Sequence, residues 1–235
     1  MQEREYEVCE VLQADEEVSM CLATCNDGQK WLLKRKNGGG QQQSALMAEL
    51  ALAPRLNGHP NLHLPRSALV SDGCLCLVYE PCAVTLPEVQ RKWSVSGFPI
   101  GDVRRMVYQL ASAVAAMHRA GVVHSTLTPH AIMLREDGIL KLGRLESAKM
   151  VSAAGAGSSK GGASSATGPR LCLGVATTSF YAAPEAILKD ALSGSGGGGM
   201  AADVWAVGCI AAELAVGRPI FPGETESEVR LGAIP

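Results

Sequence analysis

The stretch HSTLTPHAIML, residues 124–134, follows a strongly helical segment and precedes a strand-like one, which is the setting of a catalytic loop. A loop that moves protons or phosphoryl groups uses a carboxylate, a lysine or an amide side chain, and this one has none of them. Other residue types that do chemistry are thinly spread. Cys74 and Cys76 alternate on a strand-like run and point to one face, a start for a metal site, but no further ligands accompany them. His59 in GHPN reads as a helix-to-strand turn residue rather than a ligand. Ser158, Ser159, Ser164, Ser165 and Thr167 stand in a small-residue segment with no specific phosphorylation motif, and they read as solvated linker.

The elements that must position any site can be read from periodicity. In the first third, YEVCEVL, VSMCLATC and, after the turn-like Asn26-Asp27-Gly28, KWLLKRK read as short strands of a small antiparallel sheet. GGGQQQ (38–43) reads as a flexible break, with Ser44 capping a helix that carries Leu46, Met47, Leu50 and Leu52. Pro54 should shorten or kink that helix, because it lacks the backbone donor. LCLVYE (75–80) is a further strand, and the chain turns helical near 81–86. Residues 102–120 place Val103, Met106, Val107, Leu110, Val114 and Met117 on one stripe, with Asp102 before the helix and Gly121 as its stop. DVWAVGCIAAELAVG (203–217) is apolar nearly all round, as a helix buried in the centre of a lobe would be. Residues 153–168 and 193–199 have the composition of loops inserted into a scaffold.

Bulk composition excludes several classes. The 235 residues carry 21 Lys and Arg against 23 Asp and Glu, with no long basic run to attract nucleic acid or an anionic membrane. The eight cysteines lack paired C-x-x-C spacing, and the polar start MQEREYEV is unlike a signal peptide, so reduced thiols in an intracellular protein, cytoplasmic or nuclear, are expected. The longest apolar run, 204–212, is too short to span a bilayer.

The order of these parts, together with YAAPE, then DVWAVGC about twenty residues later, then FPG, resembles a eukaryotic protein kinase domain from about Tyr6 to the C-terminus. GRPIFPG (217–223) is similar to the group that includes the cyclin-dependent kinases. The resemblance implies an α+β, two-lobed fold in one domain: a small antiparallel-sheet lobe over about 1–82 and a mainly helical lobe over about 83–235. The sequence stops at RLGAIP, about where the later helices of the family's second lobe would begin, and the arginine that pairs with Glu185 would lie beyond it.

Several departures follow from the same resemblance. The glycine-rich phosphate loop falls on 13–20, where this chain has Gln13, Asp15, Val18 and Met20, with Glu16 and Glu17 adding repulsion toward phosphate. The phosphate lysine is retained as Lys34, with Glu49 as its helix partner. That pair is read first as a structural ion pair and second as the remnant of a nucleotide pocket made of Lys34, Glu49, Leu32, Tyr79, Cys82 and Met133. Leu32 stands where a small residue usually roofs the adenine. In the loop, Thr126 takes the place of the base, Thr128 that of the phosphate-contacting lysine and Ala131 that of the metal-binding asparagine. His124 is read as a packed histidine bridging to Asp203. Arg144, Leu145 and Glu146 take the place of the metal-binding D-F-G, and a cation at Arg144 repels a divalent ion. Ser125 replaces the arginine that reads activation-segment phosphate, Leu173 stands at the usual acceptor position, and QSALMAE (43–49) lacks the arginine that precedes the glutamate, which argues against cyclin binding.

A positioned acid or base supplies about 10²- to 10⁴-fold, and metal charge stabilisation several kcal/mol more. The sequence reading is therefore a chain that is not an enzyme: an inactive, cyclin-dependent-kinase-like pseudokinase serving as scaffold or structural subunit in a protein assembly. It would have no metal, ATP binding at most weakly, and no nucleic acid or membrane partner. Two alternatives remain beside it: a weakly active ATP-dependent protein serine/threonine kinase supported by Lys34, Glu49 and Glu146, and a metal-independent nucleotide switch.

Overall fold

The computed structural model describes residues 6–14, 18–36, 40–56, 58–71, 73–93, 96–151, 180–186 and 199–222. The alternating first third forms the antiparallel strands β1 (Tyr6–Ala14), β2 (Val18–Cys25) and β3 (Lys30–Lys36). At the β2–β3 turn the Gln29 amide donates to Asp27 Oδ1 at 2.9 Å, and Gly28 takes a φ of 79°, which glycine adopts without steric cost. The period of two along β3 turns Leu32, Lys34 and Lys36 inward. A lysine thus reaches the interior by register, and its charge there requires partners. Strands β4 (Ser67–Ser71) and β5 (Cys74–Tyr79) complete a five-stranded sheet in the order β1-β2-β3-β5-β4.

Helix α1 (Gly40–Leu56) crosses beneath this sheet, burying Leu46, Glu49, Leu52 and Leu56. It differs from the sequence expectation at both ends. Gly40 to Gln43 are helical, so Ser44 lies inside the helix and caps nothing. Pro54 does not end it: in the last turn proline removes only the bond to the Leu50 carbonyl, and the turn continues far enough to bury Leu56.

The helical part follows β6 (Val84–Thr85) and α2 (Leu86–Trp93), where Glu88 reaches back over the start of the helix: the Thr85 amide and hydroxyl donate to Glu88 Oε2 at 2.7 and 2.9 Å. Helix α3 (Ile100–Arg119) buries Val103, Met106, Leu110, Ala113, Val114 and Met117, the expected stripe with Ala113 added and Val107 at its edge. Gly121, at φ 70°, ends it as expected, whereas Asp102 lies within the first turn and pairs with Arg105. Strand β7 (Val122–Val123) pairs with β10 (Lys149–Met150), and β8 (Ile132–Leu134) with β6 and with β9 (Leu140–Leu142).

Helix α4 (Met200–Val216) packs on α3. Among the described residues its covered face holds Asp203, Ala206, Cys209, Ile210, Glu213 and Leu214, while Val204 is 59% exposed, so burial is one-sided rather than all round. The chain before α3 lies against the end of α4: the Phe98 amide donates to the Leu214 carbonyl at 2.8 Å, and a Cβ at Gly97 would stand 2.1 Å from the Ala215 oxygen.

The architecture is therefore α+β, with a sheet-and-helix lobe joined to a helical lobe. The chain crosses between them at 80–83, where the Ala83 amide bonds Leu134 O at 3.0 Å. A second tie is made by 61–63: Leu142 N donates to Asn61 O and His63 N to Leu142 O, each at 2.8 Å. Asn61 Nδ2 adds bonds to Gln109 Oε1 and Leu140 O. No described helix is long and apolar enough to cross a membrane. Residues 15–17, 152–179, 187–198 and 223–235 lie outside the described residues, and with them the acidic stretch, the Ser/Thr segment, Leu173 and most of 193–199.

Candidate functional site

The inward register of β3 and the inner face of α1 bring Lys34 and Glu49 together: Nζ lies 3.1 Å from Glu49 Oε2. A third group joins them that the sequence reading did not pair. Glu146, on the 3-10 turn Leu145–Ser147 after β9, places Oε1 2.5 Å from the same ammonium. Lys34, Glu49 and Glu146 side chains are 10%, 1% and 12% exposed, so one buried cation faces two buried carboxylates.

The electrostatics divide the two acids. Burial pulls the Lys34 ammonium toward neutrality, but the charges of Glu49 and Glu146 outweigh it and hold it raised. Burial likewise drives the Glu49 carboxyl up, more than Lys34 draws it down. Against the same burial, Lys34 and the hydrogen bond to it hold Glu146 down to about 2. Glu146 is thus the ionised counter-charge, and Glu49 is the acid under pressure to take up a proton. The Tyr79 hydroxyl lies close to Glu49 without a well-aligned hydrogen bond, and burial followed by Glu49 raises its pKa. Glu49 Oε1 and the Tyr79 hydroxyl are both buried without a hydrogen-bond partner.

Of the other residues expected in the pocket, Leu32 and Tyr79 lie beside this cluster, while Cys82 and Met133 have other neighbours. Leu32 is paired with Tyr79 across β3 and β5, and both pack with Leu46 and Leu77. Tyr79 also stacks on His63, ring centroids 4.9 Å apart, and lies 5.9 Å below the Lys34 ammonium. Cys82 is half-buried in the lobe crossing, where burial pushes its thiol up to about 11, so it is a poor nucleophile. Met133 packs its methyl against Gly143 on the far side, where any Cβ would stand 2.7 Å away. The cavity of about 300 Å³ between the C-terminal ends of α1 and α3, lined by Arg55, His59 and Arg119 among others, touches none of these groups. His59 itself serves its turn as expected, receiving the Asn61 amide at 3.3 Å and bonding Ser112.

The loop is held from below by Asp203, whose carboxylate accepts the His124 and Ser125 amides at 2.8 and 3.0 Å. The expected His124–Asp203 bridge is therefore made by backbone. The His124 ring, fully buried, bonds the Gly143 carbonyl at 3.0 Å, and the ring that reaches Asp203 is His118, at 2.9 Å. Sequence reading missed His118, the penultimate residue of α3, whose ring meets Asp203 only in the folded chain. Thr126 is exposed, Thr128 and Ala131 are buried, and Ser125 and Arg144 take φ of 71° and 58°.

The protein kinase domain family matches residues 9–233. Among curated proteins, the chain is 31% identical over 212 residues to "Putative cyclin-dependent kinase F-2" of Oryza sativa subsp. japonica, covering 86% of this chain and 58% of that protein. It is 32% identical over 188 residues to serine/threonine-protein kinase SSN3 of Phaeosphaeria nodorum, covering 79% and 38%. It is 29% identical over 154 residues to human dual specificity tyrosine-phosphorylation-regulated kinase 3, covering 66% and 23%. The chain thus spans only part of the length of the relatives it matches. These matches, to a kinase family and to proteins named as kinases, overturn the expectation that the chain is not an enzyme. The physical reason is that losses at Thr126, Thr128, Ala131 and Arg144 remove rate factors, not the fold or the lysine clamp, and a missing base slows transfer without forbidding it.

The groups such a family uses can be tested against this geometry. Lys34 is the cation that a nucleotide phosphate would use, and it is already paired with Glu49 and Glu146, so phosphate fits there only in exchange for a carboxylate. A divalent cation does not fit at the loop: Ala131 offers hydrocarbon, Arg144 brings a positive charge, and among the described residues no three His, Cys, Asp or Glu side chains converge.

Proposed function

This chain belongs to the protein kinase domain family, and we propose that it acts as a slow, ATP-dependent protein serine/threonine kinase. The observation that carries the reading is the buried Lys34–Glu49 pair at 3.1 Å, a cation fixed between strand and helix at a depth where it serves no surface role. The names of the relatives support the choice of hydroxyl acceptor. A bound nucleotide would supply the phosphoryl group. Lys34 holds phosphate oxygens, and Glu49 keeps the ammonium from drifting.

The loop sets the rate. Thr126 is exposed and carries no carboxylate, so the acceptor hydroxyl loses its proton to water rather than to a fixed base. Turnover lower than that of a base-equipped kinase by about 10²- to 10⁴-fold follows. The test is phosphoryl incorporation from labelled ATP into serine- and threonine-containing protein, with Lys34→Ala as control. Slow incorporation that the control abolishes supports the proposal. Incorporation that is absent, or equal in the control, overturns it.

A further inference from the structure

Glu146 stands in an unusual place for an acid. The Lys34 ammonium has three hydrogens: Glu49 and Glu146 take two, at 3.1 and 2.5 Å, and the Tyr79 ring lies near at 5.9 Å. The cation that would bind phosphate is therefore already matched by carboxylates on both available sides. We propose that Glu146 is the specificity-determining residue of this pocket: its carboxylate occupies Lys34 in the place of a nucleotide's phosphate, so a polyphosphate binds only by displacing it, whereas an uncharged nucleoside does not meet it. This rests on the reading that the pocket takes a nucleotide.

The turn that carries Glu146 suits such an exchange. Its base is fixed, because Leu145 is fully buried in the core of the helical lobe and Ala148 N bonds Leu145 O at 3.0 Å. The same turn carries a second cation. Arg144 is half-buried two residues earlier, in a left-handed conformation, and its charge also stabilises the ionised Glu146. A carboxylate leaving Lys34 for phosphate can pass to Arg144 without becoming an unpaired buried charge, which would be the costly alternative. Like charge does the rest: while Glu146 remains on Lys34, each phosphate oxygen brought to the ammonium also approaches a carboxylate.

The experiment is a calorimetric titration of wild type and Glu146→Gln with ATP and, separately, with adenosine, each with and without Mg²⁺. The glutamine keeps the shape and removes the charge. ATP should bind at least tenfold tighter to the variant, about 1.4 kcal/mol, while adenosine changes by less than twofold. Adding Lys34→Ala should erase the gain. Equal gains for ATP and adenosine would mean that space, not charge, was released, and an unchanged or weaker ATP affinity would remove the basis altogether. Glu146→Ala serves if the glutamine variant does not fold; failure of both to fold would show a structural tie and overturn the inference. Binding is read without phosphotransfer, so the two proposals fail separately. A chain that transfers nothing yet gains ATP affinity on Glu146→Gln keeps this inference and loses the kinase reading. A chain that transfers phosphate but shows no gain does the reverse.

Discussion

Replacing Lys34 by methionine, which has similar length and no charge, leaves Glu49 and Glu146 facing each other in a space from which water is nearly excluded. Removing one partner of a buried charge group typically costs about 3–5 kcal/mol, because the charges left behind are uncompensated. The same range applies here at pH 7, measured by urea unfolding. The pH dependence provides a sharper check. In wild type the Glu146 pKa is depressed from 4.5 to about 2, so its contribution is complete above about pH 4.5 and is lost as pH falls through 2. In the variant both carboxyls are raised by burial and mutual repulsion, so their penalty is complete at pH 7 and fades as they take up protons on the way to pH 5. The stability gap should therefore narrow between pH 7 and 5, and Glu146→Gln in the same chain should restore part of the loss at pH 7. A gap below about 1 kcal/mol, or one that widens toward acid, would refute the electrostatic account of the cluster. The result also bears on the phosphotransfer control, because a Lys34 variant must be assayed well below its own melting temperature to report on chemistry.

His63 offers a separate pH response: burial holds it down to about 4 from 6.5, so the unfolded chain binds more protons between those values. Its contribution, present above pH 6.5 and lost as pH falls through 4, amounts to about 2 kcal/mol between pH 6.5 and 5. His63→Phe should flatten the unfolding profile by that amount relative to wild type; buried histidines elsewhere shift both chains alike, and an unchanged slope would contradict the assignment. Gly97→Ala combines a φ of 88° with a Cβ 2.1 Å from the Ala215 oxygen. A loss of about 2 kcal/mol or more in thermal unfolding is expected, and a melting temperature within 1 °C of wild type would show that the loop moves off α4 freely.

What was readable in the sequence was what periodicity writes locally. β2 and β3 match the expected runs residue for residue, because alternation and a glycine turn determine a hairpin without help from distant parts. The stripe on α3 was equally legible. The start of α1 was not: glycine and glutamines have no strong local preference, and their helix is the N-terminal continuation of a segment fixed by burial of Leu46, Glu49 and Leu52. Within the site, Lys34 and Glu49 were found through the order of motifs. Glu146 lies 112 residues from Lys34, at a position whose counterpart in the family is a glycine, so nothing in its neighbourhood announced a partner. His118 was hidden in the same way, since only folding sets its ring beside Asp203.

The lobes are joined at more than the backbone ties through 80–83 and 61–63, which the His63 ring couples by bonding the Glu80 carbonyl at 2.7 Å. Leu52 and Leu56 of α1 pack into the same core as Leu110, Ile132 and Leu145, and the Lys34–Glu146 pair spans from β3 to the turn after β9. Parting the lobes at Lys34 therefore means separating a buried ion pair, and a buried charge left without its partner is costly. The contact that occupies the pocket is thus also one of the contacts that hold its two walls together.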